Sequence, residues 1–127
     1  MLLAAAAYNV LWGAFVVLSP LALFRAFGME PPNYPELWQC VGMIVGVYGV
    51  AYAAAALDPL RHWPVVAAGL LGKILGPVGF VGAVADGTFP VSFGLVIVFN
   101  DLIWWVPFSL ILLQAYKSNR PPKGAPA

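Results

Sequence analysis

The strongest constraint on this chain is that apolar sequence fills nearly all of it, in four stretches separated by short segments holding prolines and most of the charges. The stretches run over about residues 2–24, 37–57, 64–84 and 91–116. A helix needs about 20 mostly apolar residues to cross the hydrocarbon core of a bilayer, and each stretch reaches that length. Charged residues make up 9% of the chain and hydrophobic ones 62%, whereas an ordinary soluble domain carries about 25% charged residues. So few charges cannot coat a water-facing surface, and lipid must cover it instead. In lipid every backbone polar group has to be paired internally, which for spans of this length requires the α-helix. The expected fold class is therefore all-α: an integral membrane four-helix up-and-down transmembrane bundle over 1–116, followed by a flexible basic tail, 117–127.

The interruptions have local causes. Pro31, Pro32 and Pro35 prevent helix between the first two spans, since proline lacks the N–H and biases its predecessor away from the α region. Asp58-Pro59 stops the second span, Pro64 suits a first helical turn, and Asp86-Gly87 with Pro90 makes the last turn. The segment after Pro20, Leu21 to Phe27, can finish the first helix or lie along the membrane surface. The connections are too short to hold a domain. No basic residue precedes the first apolar run, as a secretory signal would require, so the first helix is read as uncleaved.

Lys and Arg in short loops set orientation. Arg61, Lys117, Arg120 and Lys123 fall on one side and Arg25 on the other, so both termini are expected in the cytoplasm of a multi-pass inner-membrane protein. The tail's basic residues can each gain about 1 kcal/mol beside anionic lipid. A net charge of +1 offers no field for nucleic acid. The expected partners are the bilayer and, through helix faces, another membrane protein or a second copy of the chain.

Two charges lie inside spans: Lys73 near the middle of the third and Asp101 near the middle of the fourth. Each costs roughly 2.5–3.5 kcal/mol at a helix centre on insertion scales, and such residues usually face the protein interior. At about 1.5 Å per residue they lie about 13 and 20 Å from the same membrane face, so a lysine side chain can bridge the gap. A direct or water-linked Lys73–Asp101 pair is expected, either as a structural ion pair or as a midplane site for a ligand, ion or proton. Asn100, Asn9, Tyr48, Tyr52 and Trp105 can join it. Tyr48 and Tyr52 share a helical face, and Trp105 shares one with Asp101. The polar groups are expected in the inner half of the bundle. Pro77 removes the hydrogen bond to the carbonyl of Lys73, and Pro107 does the same for Ile103. Kinked helices around a midplane site occur in transporters and in ordinary bundles alike.

Gly42, Gly46 and Gly49 form a small-residue face on the second span, and Gly72, Gly76 and Gly79 one on the third. Such faces let helix backbones approach closely, so the second and third spans are expected to touch. The glycines sit in an apolar span with no preceding strand, so they do not form a phosphate loop. His62, the sole histidine, and Cys40, the sole cysteine, cannot make a zinc, haem or copper site within one chain. No Ser/His/Asp or Cys/His set for nucleophilic catalysis occurs. No catalytic residue, metal or cofactor is expected.

Pro20-Leu21 after the first span, Trp38-Gln39-Cys40-Val41-Gly42 leading into the second, and the glycine-rich third span resemble the layout of the DoxX-like group of small bacterial membrane proteins. That resemblance implies a four-span fold and an accessory role, and carries over no functional residue. Small multidrug resistance transporters are similar in length but rely on a first-span glutamate that this chain lacks, and the motifs of fluoride channels are missing. The expected function is a non-catalytic accessory or scaffold subunit of a membrane complex. The alternative is transport or binding of a small ligand, ion or proton at a Lys73–Asp101 site.

Overall fold

A computed structural model describes residues 1–119 and is all-helical, with no strand among them. Three helices are long and apolar enough to cross a membrane: Pro35–Ala55, Trp63–Ala85 and the continuous segment Val91–Ser118. They are preceded by an apolar helix α1, Leu2–Leu18, of 17 residues. At about 1.5 Å per residue α1 is about 26 Å long, near the lower limit for a span. It stops at Leu18, short of Phe24. Ser19 precedes Pro20 and takes φ −138°, ψ 61°, outside the α region as a pre-proline residue should be. A short helix α2, Ala22–Ala26, follows, and the chain turns at Gly28 with φ +64°, a left-handed conformation that costs glycine little.

Helix α3, Pro35–Ala55, and helix α4, Trp63–Ala85, each carry proline in the first turn, where the missing N–H would have no intrahelical partner anyway. After Gly87, at φ +73°, the last segment opens as a 3₁₀ turn, Val91–Phe93, continues as α5, Gly94–Ile97, widens into a π turn, Val98–Leu102, and ends as α6, Ile103–Ser118. The Ile103 N–H reaches the Val98 carbonyl, five residues back, which is the π pattern. Arg120 and Lys123 of the expected tail lie outside the described residues.

The glycines of α3 face α1, not α4. A Cβ on Gly13 of α1 would lie 2.5 Å from the Gly42 carbonyl oxygen and 2.9 Å from the Gly46 nitrogen. One on Gly42 would meet Val16, and one on Gly49 would meet Val10 and the Ala6 carbonyl. These are backbone-to-backbone approaches that only glycine permits. Gln39 Nε2 adds a 2.8 Å bond to the carbonyl of Val17, an acceptor in the last turn of α1 that has no intrahelical donor. Helices α3 and α4 touch where Tyr52 lies against Gly69 and where Tyr52 and Ala55 join Val66 in the core. Gly72 and Gly79 have nothing within 4 Å of a would-be Cβ, and Gly76 meets Asp101. A small-residue face marks where close approach is possible, and on α4 that space is left open.

The buried core gathers at one end of the helices. Leu2, Ala5 and Ala6 of α1, Tyr52 and Ala55 of α3, Val66 of α4, and Trp104 and Phe108 of α6 form it. The rings of Tyr52 and Phe108 meet edge-on at 5.2 Å, a favoured aromatic geometry.

Candidate functional site

Above this core, the helices border a partly open cavity of about 570 Å³, within the usual range of about 300–1,000 Å³ for small-molecule sites. Asn9, Tyr48, Tyr52, Lys73, Asn100 and Asp101 all line it, so side chains from α1, α3, α4 and the π turn converge there. The cavity runs from this polar floor toward the opposite end of the helices, past Val41, Ile44 and Phe80 to Trp38, Phe89 and Phe93. It therefore extends away from the half that holds the Leu2–Phe108 core, with Tyr52 belonging to both. Lys73 and Asp101 are each 5% exposed and Asn9 is 3% exposed.

The floor is held by backbone carbonyls that irregular helices release. Pro77 has no N–H for the carbonyl of Lys73, and the indole Nε1 of Trp105 donates to that oxygen at 3.0 Å. Trp105 does not line the cavity; it holds the helix turn that carries Lys73. In the π turn, Lys73 Nζ donates to the carbonyl of Asn100, and Trp104 Nε1 donates to the carbonyl of Phe99 at 3.0 Å. Interruption of the regular ladder frees acceptor positions for such side-chain donors. The Lys73 ammonium also lies 5.8 Å from the centroid of the Trp104 ring, within cation–π range.

Lys73 and Asp101 are joined through Asn100 rather than by a direct ion pair. Asn100 accepts from Lys73 with its backbone oxygen, and its Nδ2 donates to Asp101 Oδ1 at 3.1 Å. The other carboxylate oxygen, Oδ2, faces Gly76, 2.9 Å from a would-be Cβ. Asn9 Oδ1 and Asn100 Oδ1 are buried and have no hydrogen-bond partner. An unpaired buried amide oxygen costs about 1–3 kcal/mol.

Sequence reasoning missed the π turn and Trp104. The π turn has no proline or glycine within it to mark it. Nothing in the spacing of Trp104 shows that it caps the Phe99 carbonyl. Among the described residues, no cluster of three or more His, Cys, Asp or Glu side chains is placed to hold a metal. Comparison with protein-family models, with curated proteins and with solved structures gives no match.

Proposed function

We propose that this is a small polytopic membrane protein, a four-helix up-and-down bundle with both termini cytoplasmic, that binds or carries a small amphipathic ligand in its interior cavity without catalysing a reaction. One observation carries the reading. Two oppositely charged side chains buried deep in apolar helices do not close on each other, but sit at the floor of a cavity. A purely structural pair gains most by direct contact, because desolvation is offset only by close, well-hydrogen-bonded geometry. Charges held apart around a cavity suit a third group that completes their hydrogen bonding.

The same protein can serve as the ligand-holding accessory subunit of a larger membrane complex, in keeping with the resemblance of its sequence layout to the DoxX-like group. Thermal unfolding in mild detergent against a panel of amphipathic small molecules tests the binding reading. A ligand at a hundred times its Kd stabilises by about 2.7 kcal/mol, and the resulting shift should vanish in Lys73→Met/Asp101→Leu. A shift of equal size in that double variant would remove the site from the function.

A further inference from the structure

We propose that the cavity takes a neutral, long-tailed amphiphile with both a hydrogen-bond donor and an acceptor in its head, admitted sideways from the lipid between α3 and α4. The inference rests on the ligand-binding reading above and adds the ligand's class and its route.

The head group follows from the floor. Lys73 and Asp101 contribute one positive and one negative formal charge, and proton transfer between them would leave the sum at zero. A carboxylate or phosphate head would leave Asp101 repelled in a medium of low dielectric, and an ammonium head would do the same to Lys73. A hydroxyl or amide answers both. Lys73 has one donor on Asn100 and further N–H groups free to bind an acceptor. Asp101 Oδ2, which takes no part in the bond to Asn100 and lies beside the cavity-lining Gly76, can accept from a donor.

The route follows from what closes the cavity and what does not. The Leu2–Phe108 core closes it below the floor. At the other end, Trp38 stacks edge-on with Trp12 at 5.8 Å and with Phe24 at 5.7 Å, and Phe93 is ringed by Phe27, Phe80 and Phe89. Between α3 and α4 the walls stay apart. On the α3 side Val41, Ile44 and Tyr48 line the cavity while being 40%, 60% and 39% exposed. On the α4 side Gly72 and Gly79 line it, are exposed, and have open space where a side chain would stand. A flank of glycine and apolar groups in a membrane-spanning segment faces acyl chains, which admits a tail already dissolved in the bilayer. Lys73 and Asp101, buried charges that line the cavity without closing on each other, give the head a reason to leave the interface.

The test uses three terminally brominated probes of one tail length in lipid vesicles holding the protein: bromoundecanol, bromoundecanoate and bromoundecylamine. A head at the floor directs the tail toward Trp38, so bromine should quench that indole; the signal is the difference between the protein and its Trp38→Phe variant. Bromoundecanol should quench saturably and the two charged probes should not. Asp101→Asn should turn the preference to bromoundecanoate, and Lys73→Met to bromoundecylamine. In each variant the half-saturation point for the alcohol should rise at least about tenfold, as expected for loss of a hydrogen bond to a charged group. Gly72→Leu with Gly79→Leu should abolish the saturable quenching. Saturation by a charged probe in the unaltered protein, or no change of preference in the variants, overturns the head assignment while leaving ligand binding standing. Saturable quenching that survives both leucines overturns the lateral route. No saturation by any probe removes the binding reading and this inference together.

Discussion

The bond between Trp105 and the carbonyl of Lys73 allows the link from sequence to site to be measured. Pro77 deprives that oxygen of its helical donor, and the Trp105 indole replaces it at 3.0 Å. Trp105→Phe keeps a ring but removes the N–H, leaving the acceptor unpaired. The cost of such a group is about 1–3 kcal/mol in proteins generally. Interhelical hydrogen bonds in membranes average about 0.6 and reach about 1.7 kcal/mol, so a loss of about 1–2 kcal/mol is expected. Pro77→Ala restores a backbone N–H that can bond the Lys73 carbonyl, and the indole is then no longer needed. In that background Trp105→Phe should cost about 1 kcal/mol less, because any lost packing is common to both backgrounds and cancels in a double-mutant cycle. Reversible unfolding by sodium dodecyl sulfate in mixed micelles supplies the four stabilities. Equal losses in the two backgrounds would refute the idea that the proline creates the acceptor that Trp105 serves.

Other outcomes follow from the same geometry. Gly13→Ala should destabilise the protein by about 1–3 kcal/mol, the usual cost of overpacking, because its methyl would strike the Gly42 and Gly46 backbone; Gly46→Ala, with nothing within 4 Å, should be tolerated, and the same unfolding assay compares them. Lys73→Met or Asp101→Leu alone should each lower stability by about 3–5 kcal/mol, as when one partner of a buried charge pair is removed, and the double change should recover much of the loss; strict additivity would show two independent charges. In a Cys40→Ser background, Ser118→Cys should resist an impermeant thiol reagent in intact cells, and rapid labelling would place the C-terminus outside.

The three long apolar helices were legible because hydropathy and proline are strong local signals. Pro64 opens a helix as expected, whereas Pro35, expected in the break before a span starting at 37, is itself the first residue of α3, and Ser19-Pro20 ends α1 short of the expected Phe24. Lys73 and Asp101 were legible as interior residues because each is too costly to face lipid. The partner of each glycine face was not legible: Gly42 and Gly72 look alike in sequence, yet one meets the backbone of α1 and the other borders open space. Close approach is a property of two helices, and one sequence names only one side of it. The cavity was hidden for the same reason, since a glycine stripe looks the same whether the space beside it is filled or left open. The Lys73–Asn100–Asp101 arrangement depends on a π turn, and the residues Val98–Leu102 fit a regular helix equally well by propensity.

Native mass spectrometry of the protein released from lipid nanodiscs tests the central claim most directly. The account predicts a discrete small-molecule adduct, neutral and lipid-soluble, on the wild-type chain, lost in Lys73→Met/Asp101→Leu while the variant remains folded. A wild-type chain that carries only bulk lipid, to the same extent as the double variant, would contradict it.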